Sequence, residues 1–207
     1  MAMGWSTCRL AADPAGEPIR APGTIVLALG KARAVDPTKQ QQRAIDAVDK
    51  VTDAARRFQP GVTVIRLVDP IMTREQLRRG TVKPKVSGEV FRKQLETLAR
   101  TATERDTVIV YTHCHGTKPK PDDPRRPGGL VLNPGSPRGP IRAMLPWAEY
   151  AELLLALPAR NVVVLTMSCY SGGLVDHLNS PKLKPRWTDR RANGRSFVVL
   201  TSQNSEL

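Results

Sequence analysis

The sequence predicts an α/β domain with a mostly parallel sheet of about five or six strands and helices on both faces. Three observations carry this. Short, continuously apolar runs recur along the chain, as expected of strands covered on both sides. Between them lie segments with apolar residues at helical spacing. The alternation of the two implies crossover connections and parallel pairing.

Thr24 to Leu29 (TIVLAL) reads as the first strand. Ala44, Val48, Val51, Ala55 and Phe58 then fall on one helical face, and Gln59-Pro60-Gly61 ends that helix. Val62 to Val68 reads as the second strand, followed by a loop containing Pro70 and Pro84. Ser87 is placed to cap a helix striped by Phe91, Leu95, Leu98 and Ala102. Thr107 to Thr112 (TVIVYT) is the third strand. The stretch from Gly116 to Arg142, rich in Pro, Gly, Lys and Arg, reads as a long loop with one short apolar segment, Leu130-Val131-Leu132. Pro146 suits the first turn of a helix that buries Trp147, Tyr150, Leu154 and Leu157. Asn161 to Thr166 is the fourth strand, a helix follows around Leu174 to Leu178, and Ser196 to Thr201 is the fifth strand. Residues 1–23 read as an N-terminal extension and 24–207 as one domain, in keeping with a length of 207 residues.

The 32 Lys and Arg outnumber the 19 Asp and Glu, giving a net charge of +13. Aromatic residues are 4% of the chain and do not interleave with the basic ones, so a base-stacking nucleic-acid surface is not expected. Three cysteines without regular spacing make no disulfide framework, and no apolar run approaches membrane-span length. Met1 to Trp5 lacks the pattern of a secretory signal. A soluble protein of a reducing, cytoplasmic compartment is expected, with no membrane partner.

In a doubly wound sheet, reactive groups gather beyond the carboxyl ends of the strands. The third strand runs into His113-Cys114-His115-Gly116, and the fourth into Ser168-Cys169-Tyr170-Ser171-Gly172-Gly173. If the two strands are neighbours, a His and a Cys face one another across a gap of substrate size. The pairing has a chemical purpose. A free thiol is only slightly ionised at neutral pH, and an adjacent imidazole stabilises the thiolate or protonates a leaving amine. Gly116 allows a substrate carbonyl close to the backbone, where its N–H and that of Cys169 form an oxyanion hole. Gly172 and Gly173 permit the tight turn that exposes the thiol. Other readings stay open: Cys169 as a small buried hydrophobe, or a metal site built from His113, His115 and Cys169. No fourth ligand is evident, and no metal or cofactor is expected. His113 reads as structural, and Cys114 as pointing into the core.

Strand, His-Gly, strand, then a small residue and Cys-x-Ser-Gly resembles the caspase, metacaspase and legumain superfamily of cysteine peptidases. The Cys-Tyr-Ser-Gly-Gly run is most similar to its bacterial caspase-like members. His115 and Cys169 stand 54 residues apart, near the spacing of about 50 found in caspases. The resemblance runs from Thr24 to Glu206 and implies a caspase-like fold and a cysteine endopeptidase. Cys169 would attack a peptide carbonyl, with His115 as its partner, and water would release the acyl-enzyme. It also implies a substrate-binding role for Arg33, in the loop after the first strand. Met167 stands where many relatives have an acidic residue, so a preference for basic residues before the cut is not expected. The family continues past the fifth strand, so a missing small subunit or C-terminal segment is an expected partner besides the protein or peptide substrate. A catalytically inactive caspase-fold binding or scaffold module, for an acidic partner, is the alternative.

Overall fold

The computed structural model describes residues 22–31, 37–71, 75–76, 86–120, 123, 127–132 and 144–202. Its central sheet has five strands: β1 (Thr24–Gly30), β2 (Thr63–Val68), β3 (Thr107–His113), β7 (Asn161–Met167) and β8 (Ser196–Thr201). They lie in the order β2-β1-β3-β7-β8, and every pairing is parallel. This is the α/β architecture that the alternating apolar runs predict. β1 and β3, at the centre, carry the most continuous apolar runs because both of their faces are covered.

Helix α1 (Pro37–Phe58) covers one face, packing Val48 against Val26, Ala28 and Tyr111. Phe58, assigned by its spacing to the buried stripe, is 92% exposed. The reason is length. At 1.5 Å per residue the 22-residue helix spans about 33 Å, whereas a seven-residue strand spans about 23 Å. The helix therefore overshoots the sheet, and its last aromatic has nothing beneath it.

The opposite face carries the larger core. Helix α2 (Gly88–Thr101) begins where Ser87 is expected to cap it: the Ser87 hydroxyl accepts from the Val90 N–H at 3.2 Å. Its stripe of Phe91, Leu95 and Leu98 is buried. Helix α3 (Trp147–Leu155) buries Trp147, Tyr150 and Leu154, and the Phe91 and Tyr150 rings meet at 5.8 Å. Pro146 lies one residue before this helix, at its N-cap. Helices α4 (Gly172–Leu178) and α5 (Lys184–Ala192) complete this side.

The stretch read as one long loop contains structure of its own. Strands β4 (His115–Thr117), β5 (Gly129–Val131) and β6 (Met144–Pro146) form a small antiparallel sheet in that order. Leu130 of β5 pairs with Gly116 on one side and Leu145 on the other, and both leucines are fully buried. This second sheet brings the chain from the end of β3 to the start of α3. None of the described helices is long and apolar enough to cross a membrane.

Candidate active site

β3 and β7 are neighbours in register over their whole length, from Thr107 opposite Asn161 to His113 opposite Met167. The two cysteine- and histidine-bearing motifs therefore leave the sheet side by side, about 4.8 Å apart. The Cys114 N–H donates to the Met167 carbonyl at 3.3 Å, one residue beyond the ladder. Both chains then turn away. His115 and Gly116 enter β4, while Ser168 to Ser171 form a turn closed by the Ser171 N–H on the Ser168 carbonyl at 3.3 Å.

The motifs meet at Gly116. A Cβ on this residue would overlap the carbonyl oxygen of Cys169, stand 3.0 Å from its carbonyl carbon, and lie 3.3 Å from Cζ2 of Trp147. Only glycine fits. The sequence gives a reason for a small residue here, but the group that comes close is Cys169's own backbone, in addition to any substrate. Trp147 is the shared support. Its indole is fully buried, donates from Nε1 to the Thr117 carbonyl at 3.3 Å, and lies 2.7 Å from where a Cβ on Gly173 would sit. One ring thus underlies the segment after His115 and the helix after Cys169.

The expectation that Gly172 and Gly173 make the turn is corrected here. Both glycines are already helical, at the start of α4. The left-handed residue is Tyr170, with φ 55°, immediately after Cys169. A side-chain-bearing residue in that conformation costs about 1 kcal/mol or more, and such strain gathers where a side chain must be presented. Its neighbour Cys169 is exposed, whereas Cys114 is buried in the core as expected. Among the described residues, the Cys169 N–H makes no backbone hydrogen bond. His115 is half-buried and immediately precedes Gly116 in the chain. Arg33 lies outside the described residues.

Local electrostatics separate the two thiols. Burial pushes the Cys114 thiol from its ordinary 9.0 up to about 12; a charge on Cys169 pushes the same way and the Lys31 ammonium opposes it. Burial also lowers His113, holding it toward the neutral form; its Nδ1 lies 3.4 Å from the Tyr111 hydroxyl. Among the described residues, no group of three or more His, Cys, Asp and Glu is placed to hold a metal ion.

Sequence reasoning passed over one network at this edge of the sheet. Lys31, the residue after β1, forms a buried ion pair with Asp69, the residue after β2. The Lys31 ammonium also donates to the Val86 carbonyl at 2.8 Å, and the Val86 N–H donates to Asp69 Oδ1 at 2.8 Å. The Lys31 N–H donates to the His113 carbonyl at 2.9 Å, and the Gln41 amide to the Asp69 carbonyl at 2.9 Å. The ends of β1, β2 and β3 and the starts of α1 and α2 are thereby tied together beside the cysteine turn. A lone Lys after an apolar strand gives no local sign of this, because its partner is 38 residues away.

The chain matches no family model and no curated protein. Among solved structures it is similar to protein GSU0716 from Geobacter sulfurreducens, with 20% identity and a TM-score of 0.46. That likeness covers 88% of this chain and 72% of that one.

Proposed function

We propose that this protein is a caspase-like cysteine endopeptidase in which Cys169 is the nucleophile and His115 its proton-transfer partner. The observation that carries the reading is the apposition of Gly116 on the Cys169 backbone, beside an exposed thiol. Neither half of this arrangement is needed for a merely structural cysteine, which would be buried as Cys114 is. In the reaction, the Cys169 thiol passes its proton to His115, the sulfur attacks the peptide carbonyl carbon, and the carbonyl π electrons move to oxygen. The N–H groups of Cys169 and Gly116 receive that oxyanion. The C–N bond then breaks as His115 gives a proton to the departing amine. Water, losing a proton to His115, attacks the thioester, and the carboxylate leaves as the thiol re-forms. Exposed Met167, in register with half-buried His113, favours an uncharged residue before the cut. Arg33 keeps its proposed role in substrate binding from the loop after β1.

The test is covalent labelling with peptidyl electrophiles bearing Asp, Asn, Arg, Lys or Leu before the warhead, with the adduct located by mass spectrometry. The expected result is an adduct on Cys169 that is selective for one side chain, slows at least 100-fold in His115→Ala, and is absent in Cys169→Ala. Equal, slow labelling of the cysteines in wild type and His115→Ala would refute the peptidase and leave a binding module.

A further inference from the structure

Four side-chain hydroxyls near the cysteine turn are buried without a hydrogen-bond partner among the described residues: those of Thr112, Tyr150, Thr166 and Ser168. A buried hydroxyl is almost always bonded, and leaving one unbonded is destabilising. Four in one region point to a partner that they share. The topology gathers them. Thr112 of β3 stands opposite Thr166 of β7 in register, so their side chains leave the same face of the sheet. By the alternation of side chains along a strand, that face also carries Val110 and Val164, which lie in the larger core with α3. Tyr150 reaches the pair from α3. Burial pushes its phenol up, and the Thr166 and Thr112 hydroxyls act at its oxygen to oppose that push. Cys114, two residues after Thr112, is close enough to reinforce it. Ser168 supplies the fourth hydroxyl, two residues beyond Thr166 and one before Cys169.

The hydroxyls of Thr112, Thr166 and Tyr150 are neighbours, yet none of them bonds another directly. A small molecule among them could bond all three, and the chemistry selects which. Each hydroxyl both donates and accepts, as water does, and a buried water commonly makes about three bonds. An ion would enter the core with no opposite charge from these groups. We propose that Thr112, Thr166, Tyr150 and Ser168 line an internal water site, and that the water ties the floor of the cysteine turn to α3. Ser168 begins that turn, and its carbonyl accepts from the Ser171 N–H at 3.3 Å and from the Ser202 hydroxyl at 3.4 Å. Its own hydroxyl, joined through water to Tyr150, fixes the same residue from beneath. The site rests on burial and strand register and is independent of the chemistry proposed for Cys169.

Two measurements on the full chain test this. Magnetic relaxation dispersion of the solvent nuclei, which registers long-lived internal waters, is compared between wild type and Thr112→Val/Thr166→Val. Urea unfolding is followed for Thr112→Val, Thr166→Val and Tyr150→Phe singly, each of which deletes a hydroxyl and nearly keeps the shape. The double variant is expected to lose an internal-water contribution that wild type shows. Each single variant should raise the unfolding equilibrium constant about fivefold or more, because a bonded buried hydroxyl is lost. Relaxation dispersion unchanged in the double variant would overturn the proposal, since the hydroxyls would then bond one another without water. Single variants as stable as wild type, or more so, would overturn it too, because removing hydroxyls that stand unbonded relieves the core. Should the double variant fail to fold, relaxation dispersion of Tyr150→Phe, which leaves the ring in place, decides between the same two outcomes.

Discussion

Replacing Gly116 by Ala tests the geometry on which the proposed chemistry depends. Carbon atoms in contact rest about 3.5–4.0 Å apart, whereas the new methyl would start 3.0 Å from the Cys169 carbonyl carbon and closer still to its oxygen. Neither neighbour is the free end of a side chain. One is backbone, in a turn already holding Tyr170 at positive φ, and the other is the buried ring of Trp147. The cysteine turn and β4 must therefore separate by at least ~0.5 Å. Overpacking of this kind costs roughly 1–3 kcal/mol, and a shift approaching 1 Å in reacting groups costs on the order of 100-fold in rate. The assay measures the second-order rate of Cys169 labelling by the best peptidyl electrophile beside that of iodoacetamide, together with thermal unfolding. Gly116→Ala should lose about 100-fold with the peptidyl reagent and much less with iodoacetamide, because the thiol stays exposed while its alignment is lost. Gly61→Ala, where nothing lies within 4 Å, is the control and should change neither. Wild-type labelling and stability in Gly116→Ala would refute the apposition of the two motifs.

Three further outcomes are expected. Lys31→Met or Asp69→Asn alone should cost about 3–5 kcal/mol in urea unfolding, by leaving one charge buried without its partner, whereas Lys31→Met/Asp69→Leu should recover most of that loss. Because the folded state holds the Cys114 proton up to about pH 12 and the unfolded chain releases it near 9.0, stability from this group is complete below pH 9 and declines above it. The slope approaches about 1.4 kcal/mol per pH unit above pH 9, and Cys114→Ala should make it shallower, leaving the share of Tyr111 and Tyr150, which burial also raises above 10.0. Tyr170→Gly should raise the unfolding free energy by up to about 1 kcal/mol, since glycine accepts φ 55° without strain, and Tyr170→Ala should give no gain.

The parts of this fold that are legible in the sequence are those whose signal is local. β1, β3 and β7 are unbroken apolar runs, and α2 shows both a cap at Ser87 and a stripe at Phe91, Leu95 and Leu98. The meeting of the His115 and Cys169 motifs could be anticipated because each follows such a run directly. β4, β5 and β6 could not be, since three residues are too few to display a period. α5 was silent as well: in Lys-Pro-Arg-Trp-Thr-Asp-Arg-Arg-Ala only Trp187 is a large apolar residue, so no stripe forms. The helix is held instead by the Trp187 indole on the Leu178 carbonyl at 3.0 Å, and by Arg190 on the Leu157 and Ala159 carbonyls. The reason for Gly173 was equally hidden, because the ring that excludes a side chain there lies 26 positions earlier in the chain.

Trp147 also makes the candidate site observable. The protein has three tryptophans, and this one is wholly enclosed, in contact range of both the Gly116 strand and the Gly173 helix. Its emission reports on the spacing between those two segments and is shielded from aqueous quenchers, unlike that of half-buried Trp187. With Trp5 and Trp187 replaced by Phe, occupation of the candidate site, an altered turn at Tyr170 or a displaced β4 would each register as a change in the light from a single ring, with no label attached and no substrate known in advance.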